Sequence, residues 1–237
     1  NRFNPWTFAT SIQGHAEWLR AANPDGPLMV VIGYDVRQFS DINAQLIPDI
    51  HTPVTGIRSR DFAEIAAEVY AAHEITAVLP PAEAVLSTPE LSFAIRDQHA
   101  TGGLVISASH NPPDDNGSKF YHGHGGQFVP PHDQTLADAI AAVERVERMP
   151  LDRGVANGLI RVINEAVHTN YITANLAAVA KPSRPWIPMV FTPLHGTAHT
   201  SVGDVLAAAG VPVTSQPEQS VPDGCFPTVP FKSPNPE

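Results

Sequence analysis

The sequence predicts an α/β fold in which a mixed, mostly parallel sheet carries helices on both faces, forming an α/β/α sandwich. Residues 28–33 are an unbroken apolar run, which is typical of a strand buried on both faces. Helical and strand patterns alternate over residues 5–106. Such β-α-β units are right-handed and place their helices on both sides of a parallel sheet. A partial second domain of similar type is expected to follow.

The N-terminal element is predicted to be an amphipathic helix over residues 5–20. Asn4 is a favourable N-cap residue, and Pro5 suits the first helical position because its missing N–H would have no partner there. After the first strand, residues 41–60 show no clean period and contain two prolines. We expect an irregular loop there, and the sequence assigns it no function.

The next elements are two helices and two strands. Apolar residues at helical spacing predict a helix from Arg60, and residues 75–79 form a short strand. Thr88 is expected to cap the following helix, with Pro89 at its first position. Residues 103–106 are the next strand, which stops at a cluster of small polar residues.

Two domains are predicted, over residues 1–160 and 161–237. Residues 132–148 are expected to form one helix with its apolar residues facing inward. Residues 149–156 contain helix-breaking Pro and Gly and are expected to connect the two domains. Residues 168–180 are again predicted to be helical.

Composition excludes several classes of protein. Hydrophobic residues are 43% and charged residues 16% of the 237, so neither a disordered nor a membrane-embedded chain is expected. The formal net charge of -10 argues against a nucleic-acid partner. No apolar run reaches the length of a bilayer span, and residues 1–5 lack a signal-peptide layout. The single cysteine, Cys225, agrees with a reducing compartment. We therefore expect a cytoplasmic protein without a membrane partner, and its oligomeric state is not predicted.

A tight loop follows the strand at 103–106. The stretch ISASHNPPDDNGSKFY begins at Ile106, and its prolines and Asn-Gly pair force an exposed turn. Ser109 is a candidate nucleophile, and His110 and Asn111 could hold a phosphate. A hairpin could return Lys119 to the serine. A Ser-His hydrolase is disfavoured, because the sequence has no G-x-S-x-G elbow.

Two further turns follow apolar strands. Asp35 and Arg37 come directly after the run at 28–33, at the strand end where ligands gather in open α/β sheets. An apolar run at 188–191 leads into a turn that contains His195 and then into a helix whose N-terminus could accept an anion. A surface loop with a local ion pair is the alternative interpretation of the first turn.

A zinc site is a second alternative. His122 and His124 form a His-x-His pair that could bind a metal with His110 as a third ligand. It is disfavoured, since no acidic or cysteine ligand nearby completes a tetrahedral set.

The serine loop resembles a known active site. Ser-Ala-Ser-His-Asn-Pro followed by Asp-Asn-Gly-x-Lys-Phe is similar to the active-serine loop of the phosphohexomutases, the phosphoglucomutase and phosphomannomutase family. The G-x-D-x-R segment ending at Arg37, the T-P-x-H-G turn at His195 and the P-D-x-x-F-P segment near the C-terminus also resemble that family. Relative to its pattern, residues 41–60 look like an insertion.

The resemblance implies a reaction and roles for individual residues. Ser109 would carry a phosphoryl group, and phosphate would pass reversibly between the 1- and 6-positions of a hexose phosphate through a bisphosphorylated sugar. Arg37, His110 and Lys119 would act at the reacting phosphate, and Lys119 would transfer a proton with the sugar hydroxyl.

The family also implies binding residues and a cofactor. Asn111 and Asn116 are expected at the phosphate or as supports of the loop, and His195 either contacts substrate or only shapes its turn. The implied cofactor is Mg²⁺, held in part by the phosphate on Ser109, and activation would need a sugar bisphosphate.

The chain is expected to cover about the first half of a four-domain enzyme, with the family's metal-binding loop beyond Glu237. The favoured activity is phosphoglucomutase. Phosphomannomutase, phosphoglucosamine mutase and a non-catalytic phosphosugar-binding fragment are the alternatives.

Overall fold

The computed structural model describes residues 3–39, 55–179 and 185–230. The first described elements are α1 Pro5–Ala22, β1 Leu28–Tyr34, α2 Ser59–Ala72, β2 Ile75–Leu79, α3 Thr88–Asp97, β3 Gly102–Ile106, β4 Ser118–His122, α4 His132–Ala141 and α5 Leu151–Ala156. The following elements are β5 Ile160–Val162, α6 Ala166–Ala178, β6 Met189–Phe191, α7 Ala198–Ser201, α8 Gly203–Ala208, β7 Val213–Ser215 and a 3₁₀ turn at Pro217–Gln219. In the ranges described, no helix combines the length and apolar character needed to cross a membrane.

The larger sheet is mixed and mostly parallel, as predicted. Its strand order is β4-β3-β1-β2-β5. Strand β1 runs parallel to both β2 and β3, and β2 runs parallel to β5. Only the β3–β4 pair in this sheet, as described, is antiparallel. Apolar side chains alternate between the two faces, so Val30 and Ile32 point to one side and Val31 to the other.

Helices cover both faces of this sheet. On one side, α1 and α2 bury aromatic and aliphatic residues such as Phe8 and Phe62 against β1 and β3. On the other side, α3 places Leu91 and Ile95 against Val31 and Val105. Helices therefore shield both faces of the sheet from water. This explains why its central strands are continuous apolar runs and do not alternate between apolar and polar residues.

The capping signals were partly correct. Asn4 caps α1 by accepting from the Trp6 and Thr7 N–H groups, and Thr7 completes a capping box. For α3 the prediction was wrong by one residue, since Ser87 is the N-cap and Thr88 is already helical. The Ser87 side chain makes no hydrogen bond to the start of the helix. Serine and threonine are both favourable N-cap residues, so local sequence preference does not distinguish Ser87 from Thr88.

The predicted helix over 132–148 is wrong in its second half. Helix α4 ends at Ala141, and residues 143–150 run without regular structure. The Glu147 N–H donates to Gln13 Oε1 at 3.0 Å, and the Met149 N–H donates to the Glu68 carbonyl at 2.9 Å. These bonds to distant residues replace the helical ones.

The predicted connection over 149–156 is also wrong, because residues 151–156 form α5. Pro150 is the N-cap of this helix rather than a breaker. Gly154 sits inside the helix where Ile160 approaches so closely that a Cβ atom would overlap its side chain. Gly154 therefore allows close packing against Ile160 and does not interrupt the helix.

The second part of the described chain contains α6, α7, α8 and a two-stranded parallel sheet of β6 and β7. Strand β5, at the predicted domain boundary near residue 160, pairs with β2 in the larger sheet. The division into 1–160 and 161–237 stays a prediction. Residues 41–54 of the stretch 41–60, to which no function was assigned, and the final Asn-Pro-Glu lie outside the described residues.

Candidate active site

The serine loop connects β3 and β4. Residues 107–117 leave the end of β3, and β4 returns antiparallel to it with Lys119 opposite Val105. Lys119 Nζ consequently lies 3.1 Å from Ser109 Oγ. The hairpin expected from the sequence therefore does bring Lys119 back to the serine.

Ser109 has an unusual backbone conformation. Its φ is 57°, a left-handed value that costs a non-glycine residue roughly 1–3 kcal/mol. The Ser109 N–H donates to Ser107 Oγ at 3.0 Å, and the Asn111 N–H donates to the Ala108 carbonyl at 3.1 Å. These bonds close a tight turn in which Ser109 is exposed. The serine hydroxyl is thus presented at the carboxyl end of a parallel strand, where α/β sheets bind ligands.

Arg37 lies beneath this turn and is only 1% exposed. Its Nε donates to Asp35 Oδ2 at 2.9 Å, and its Nη1 donates to the carbonyls of Asn111 and Pro112. Its Nη2 donates to the carbonyl of Ser109 at 2.7 Å. A buried guanidinium requires such pairing, and here the main chain of the loop supplies most of the acceptors. This placement supports a role for Arg37 in holding the loop.

The two asparagines also bind within or beneath the loop. Asn111 Nδ2 donates to Asp115 Oδ2 at 3.1 Å. Asn116 Oδ1 accepts from the Gly117 N–H at 2.9 Å, and its Nδ2 donates to Ser59 Oγ at 2.9 Å. These bonds favour the expectation that both residues support the loop, while contact with a phosphate stays a prediction.

A cavity of about 360 Å³ lies beside the loop. One wall contains Ser109 and His110, and a second wall is the turn at 193–198 after β6. The rest of the lining comprises Asp35, Val36, Thr88, Ser107 and Phe226. The volume falls within the range of small-molecule sites, and the two walls come from sequence-distant parts of the chain. His110 is exposed at its mouth, as a phosphate-binding residue would need to be.

His195 lies behind the second wall and is 2% exposed. Its Nδ1 is 3.1 Å from the Val221 carbonyl and its Nε2 is 2.8 Å from Thr228 Oγ1. Since a carbonyl oxygen only accepts, Nδ1 must carry a proton and donate it. With both ring nitrogens bonded, the geometry favours the alternative that His195 shapes its turn. Direct contact with a substrate stays a prediction.

The segment 222–230 closes the site from the C-terminal side. Gly224 forms a parallel bridge with Arg37 and comes so close to Val36 that a Cβ atom would overlap the carbonyl oxygen. Phe226 is 3% exposed, and the Arg37 guanidinium carbon lies 5.4 Å from the centre of its ring. Cation-π contact of this kind favours a buried arginine. Residues Gly224 and Phe226 of this segment therefore pack directly on the Val36–Arg37 turn.

The His-x-His pair is stacked instead of converging on a metal. The His122 and His124 rings lie 5.2 Å apart, and His122 also stacks on Phe128 at 3.7 Å. Burial lowers the pKa of His122, and the neighbouring His124 and His132 rings lower it further. Within residues 3–39, 55–179 and 185–230, no group of three or more His, Cys, Asp or Glu side chains could hold a metal ion.

Comparisons with known proteins match two stretches of the chain to one family. Residues 55–147 match the model for "Phosphoglucomutase/phosphomannomutase, alpha/beta/alpha domain I", and residues 166–237 match the model for its domain II. Together these matches cover more than half of the chain. The chain belongs to the phosphoglucomutase/phosphomannomutase family.

Relatives within the phosphoglucomutase/phosphomannomutase family extend the match. The "Probable phosphomannomutase" of Haemophilus influenzae is 36% identical over 233 residues, covering 94% of this chain and 41% of that protein. A phosphoglucomutase of Staphylococcus saprophyticus is 34% identical over 187 residues, covering 77% of this chain and 34% of that protein. The chain therefore spans less than half the length of these relatives.

A solved structure shows the same fold. It is that of a phosphoglucomutase/phosphomannomutase family protein from Burkholderia thailandensis, with a TM-score of 0.66 and 20% sequence identity. The superposition covers 95% of this chain and 42% of that protein.

Sequence reasoning missed one residue of the site. Ser59 contacts both Asp35 and Asn116, although it lies in the stretch 41–60 to which no function was assigned. No local pattern marks it, because its partners are 24 and 57 residues away in the chain. A serine at the start of a helix is ordinarily interpreted as a cap.

Proposed function

We propose that the full-length protein containing this chain is a phosphohexomutase, with phosphoglucomutase as the favoured activity. It would transfer phosphate reversibly between the 1- and 6-positions of a hexose phosphate. The observation that carries the proposal is the exposed Ser109 hydroxyl, 3.1 Å from Lys119 Nζ and beside a cavity large enough for a sugar phosphate. Family membership supports the same reaction.

In the proposed reaction Ser109 begins as a phosphoserine. A sugar hydroxyl attacks the phosphorus, its new P–O bond forms as the bond to Ser109 Oγ breaks, and the product is a sugar bisphosphate. The proton leaves the sugar hydroxyl and one is returned to Ser109 Oγ. After the intermediate turns over in the site, its other phosphate passes back to Ser109 by the reverse steps.

The residues around the loop have distinct roles in this proposal. Lys119 holds or moves the proton at Ser109 Oγ, and with His110 it offsets the charge of the phosphoserine, about -1.5 to -2. Phosphoryl transfer depends chiefly on such positioning and charge neutralisation. Arg37 contributes indirectly by fixing the main chain, since its donors are bonded to loop carbonyls and Asp35. Asn111 and Asn116 likewise fix the loop.

We propose Mg²⁺ as the cofactor, with the phosphate on Ser109 as one ligand. The described residues contain no metal-binding cluster, so its other ligands would come from residues outside them. When bound, the ion would neutralise the transferring phosphoryl oxygens. We also propose that a sugar bisphosphate activates the enzyme by phosphorylating Ser109, and that the protein acts in the cytoplasm.

A phosphomannomutase or phosphoglucosamine mutase is the first alternative, because the family model carries both phosphoglucomutase and phosphomannomutase in its description. A non-catalytic phosphosugar-binding protein is the second. Such a protein would hold a phosphosugar in the same cavity beside Ser109 without transferring its phosphate.

Peptide mass spectrometry of the full-length protein purified from cells tests the proposal. We expect one phosphate on Ser109, discharged by glucose 1-phosphate and absent from Ser109→Ala. Mg²⁺-dependent conversion of glucose 1-phosphate should accompany it. An unmodified Ser109 in a metal-loaded preparation without mutase activity on glucose, mannose or glucosamine phosphates would favour the binding-protein alternative.

The role of Lys119 has its own test. Lys119→Met should retain the fold and lower kcat by about 10²–10⁴-fold, the usual contribution of a positioned proton-transfer group. Lys119→Arg keeps the positive charge and serves as the matched control. Compared with Lys119→Met, we expect it to recover binding of the sugar phosphate more than turnover. Steady-state kinetics of both variants at saturating bisphosphate measure this. A kcat within about threefold of wild type for Lys119→Met would exclude the role.

A further inference from the structure

Ser59 lies at the point where the Asp35–Arg37 turn meets the serine loop. It is the first residue of α2 and is fully buried. The backbone brings it there by pairing, since Gln38 and Arg58 form an antiparallel bridge and the Ser59 N–H donates to the Arg37 carbonyl at 2.9 Å. These bonds place Ser59 directly beside the Asp35–Arg37 turn.

The Ser59 hydroxyl bonds to both partners at once. It donates to Asp35 Oδ1 at 2.6 Å and accepts from Asn116 Nδ2 at 2.9 Å. Asp35 Oδ1 also accepts from the Arg37 N–H at 3.0 Å, and Asp35 Oδ2 accepts from Arg37 Nε. One hydroxyl therefore connects the carboxylate that orients Arg37 with the far end of the loop that Arg37 holds.

We propose that Ser59 is a positioning residue for Ser109. Arg37 fixes the start of the loop through carbonyls at 109–112, and the Ser59–Asn116 bond fixes its end next to β4. Lys119 lies three residues beyond Asn116 on β4, so this bond fixes the loop directly before the strand that carries Lys119. Ser59 touches no atom that reacts. This inference rests on the proposed phosphoryl transfer at Ser109.

Removing the hydroxyl should loosen only the loop. In Ser59→Ala, Asp35 Oδ1 loses one donor and the Asn116 amide loses its acceptor, while the helix start and the backbone bond to Arg37 remain. A nucleophile misplaced by about 1 Å can cost up to 10²-fold in rate. We expect kcat to fall by about 10- to 100-fold, with KM for the sugar phosphate changed by less than about threefold.

The test uses the full-length protein and a double-mutant cycle. Ser59→Ala, Asn116→Ala and the double variant are compared in kcat, KM and amide hydrogen exchange of the segment 107–117. If Ser59 acts through Asn116, the double variant loses less than the sum of the two single losses, because both changes break the same Ser59–Asn116 bond. Exchange should accelerate in 107–117 and stay unchanged in β1 and β2.

Ser87→Ala is the matched control. Its hydroxyl is also buried but has no hydrogen-bond partner within the described structure. Its loss should therefore leave kcat and loop exchange at wild-type values. If Ser59→Ala does not fold, Asn116→Ala removes the same bond from the loop side and carries the test alone.

The outcomes separate this inference from the proposed function. Wild-type exchange rates in 107–117 for Ser59→Ala, or additive losses in the double variant, would overturn the positioning role while leaving the mutase reaction intact. A wild-type protein without mutase activity would instead overturn the proposed function. The exchange comparison would still decide whether Ser59 fixes the loop.

Discussion

A buried arginine binds the main chain at Ser109, the proposed nucleophile, without contacting its side chain. The Arg37 guanidinium donates to main-chain carbonyls of the serine loop and to Asp35 while being 1% exposed. The family resemblance placed Arg37 near the serine but implied that it acts on the phosphate. In the structure its donors already have protein partners, which makes stability, as well as rate, sensitive to its replacement.

Arg37→Lys distinguishes these two roles. A lysine has three donors on a single nitrogen and cannot reproduce the planar fork that reaches Asp35 and the carbonyls together. Leaving buried acceptors unpaired should lower the free energy of unfolding by about 2–4 kcal/mol. Urea denaturation of the full-length variant measures this. Unchanged stability with reduced activity would show instead that Arg37 acts on the phosphate.

At the scale of elements, three helices meet through one histidine. His168 on α6 places Nδ1 2.6 Å from Glu90 of α3 and Nε2 2.9 Å from Asp204 of α8. Both nitrogens can donate to carboxylates only if the ring is charged. Burial lowers the pKa of His168, but the hydrogen bonds and negative charges of Glu90 and Asp204 outweigh it and raise the pKa above its usual value.

The pH dependence follows from this raised pKa. Because the folded state binds the proton more tightly than the unfolded state, the contribution is complete below the unfolded pKa of 6.5 and is lost as pH rises through the higher folded value. His168→Gln should therefore lower Tm relative to wild type at about pH 6, and the difference should shrink at about pH 8.5. Thermal unfolding at the two pH values checks this. A Tm difference that grows with pH would contradict it.

The ends of helices show which structural features local sequence patterns can predict and which they cannot. Asn4 was identified as a cap because its partners lie within three residues. The end of α4 at Ala141 was not, because the chain after it bonds to Gln13 and Glu68, which are 134 and 80 or more residues away. The sequence did not identify Ser59 as a site residue for the same reason, since its partners are also distant in the chain. Local spacing predicts the strand, the turn and the hairpin that carries Lys119, whereas contacts across the fold require the fold itself.

At the scale of the whole molecule, the two parts of the chain meet at the candidate active site. Gly224 and Phe226 from the second part pack against Arg37, and the turn at 193–198 lines the same cavity as Ser109. The family pattern predicted that a second unit would follow. It did not predict that this unit would cover Arg37.

Gly224→Ala tests that contact. Its Cβ would overlap the Val36 carbonyl, so the segment 222–230 must shift and Phe226 should move off the guanidinium. Overpacking of this kind costs about 1–3 kcal/mol, and proteolysis within 222–230 should become faster. Gly203→Ala is the control, since its Cβ would come no closer than 4.0 Å to Phe191. If Gly224→Ala and Gly203→Ala are cleaved at the same rate, the contact between Gly224 and Val36 does not hold the segment 222–230 in place.

The way Arg37 holds the loop also bears on how freely this site can be altered. Carbonyl oxygens are present at every residue type, so the clamp at 109–112 does not depend on which side chains stand there. A substitution at 109–112 therefore removes none of the acceptors that Arg37 uses, whereas the bonds from the side chains of Ser107 and Asn116 depend on those residues. Arg37 thus constrains the course of the main chain and leaves the choice of side chain at position 109 to the chemistry carried out there.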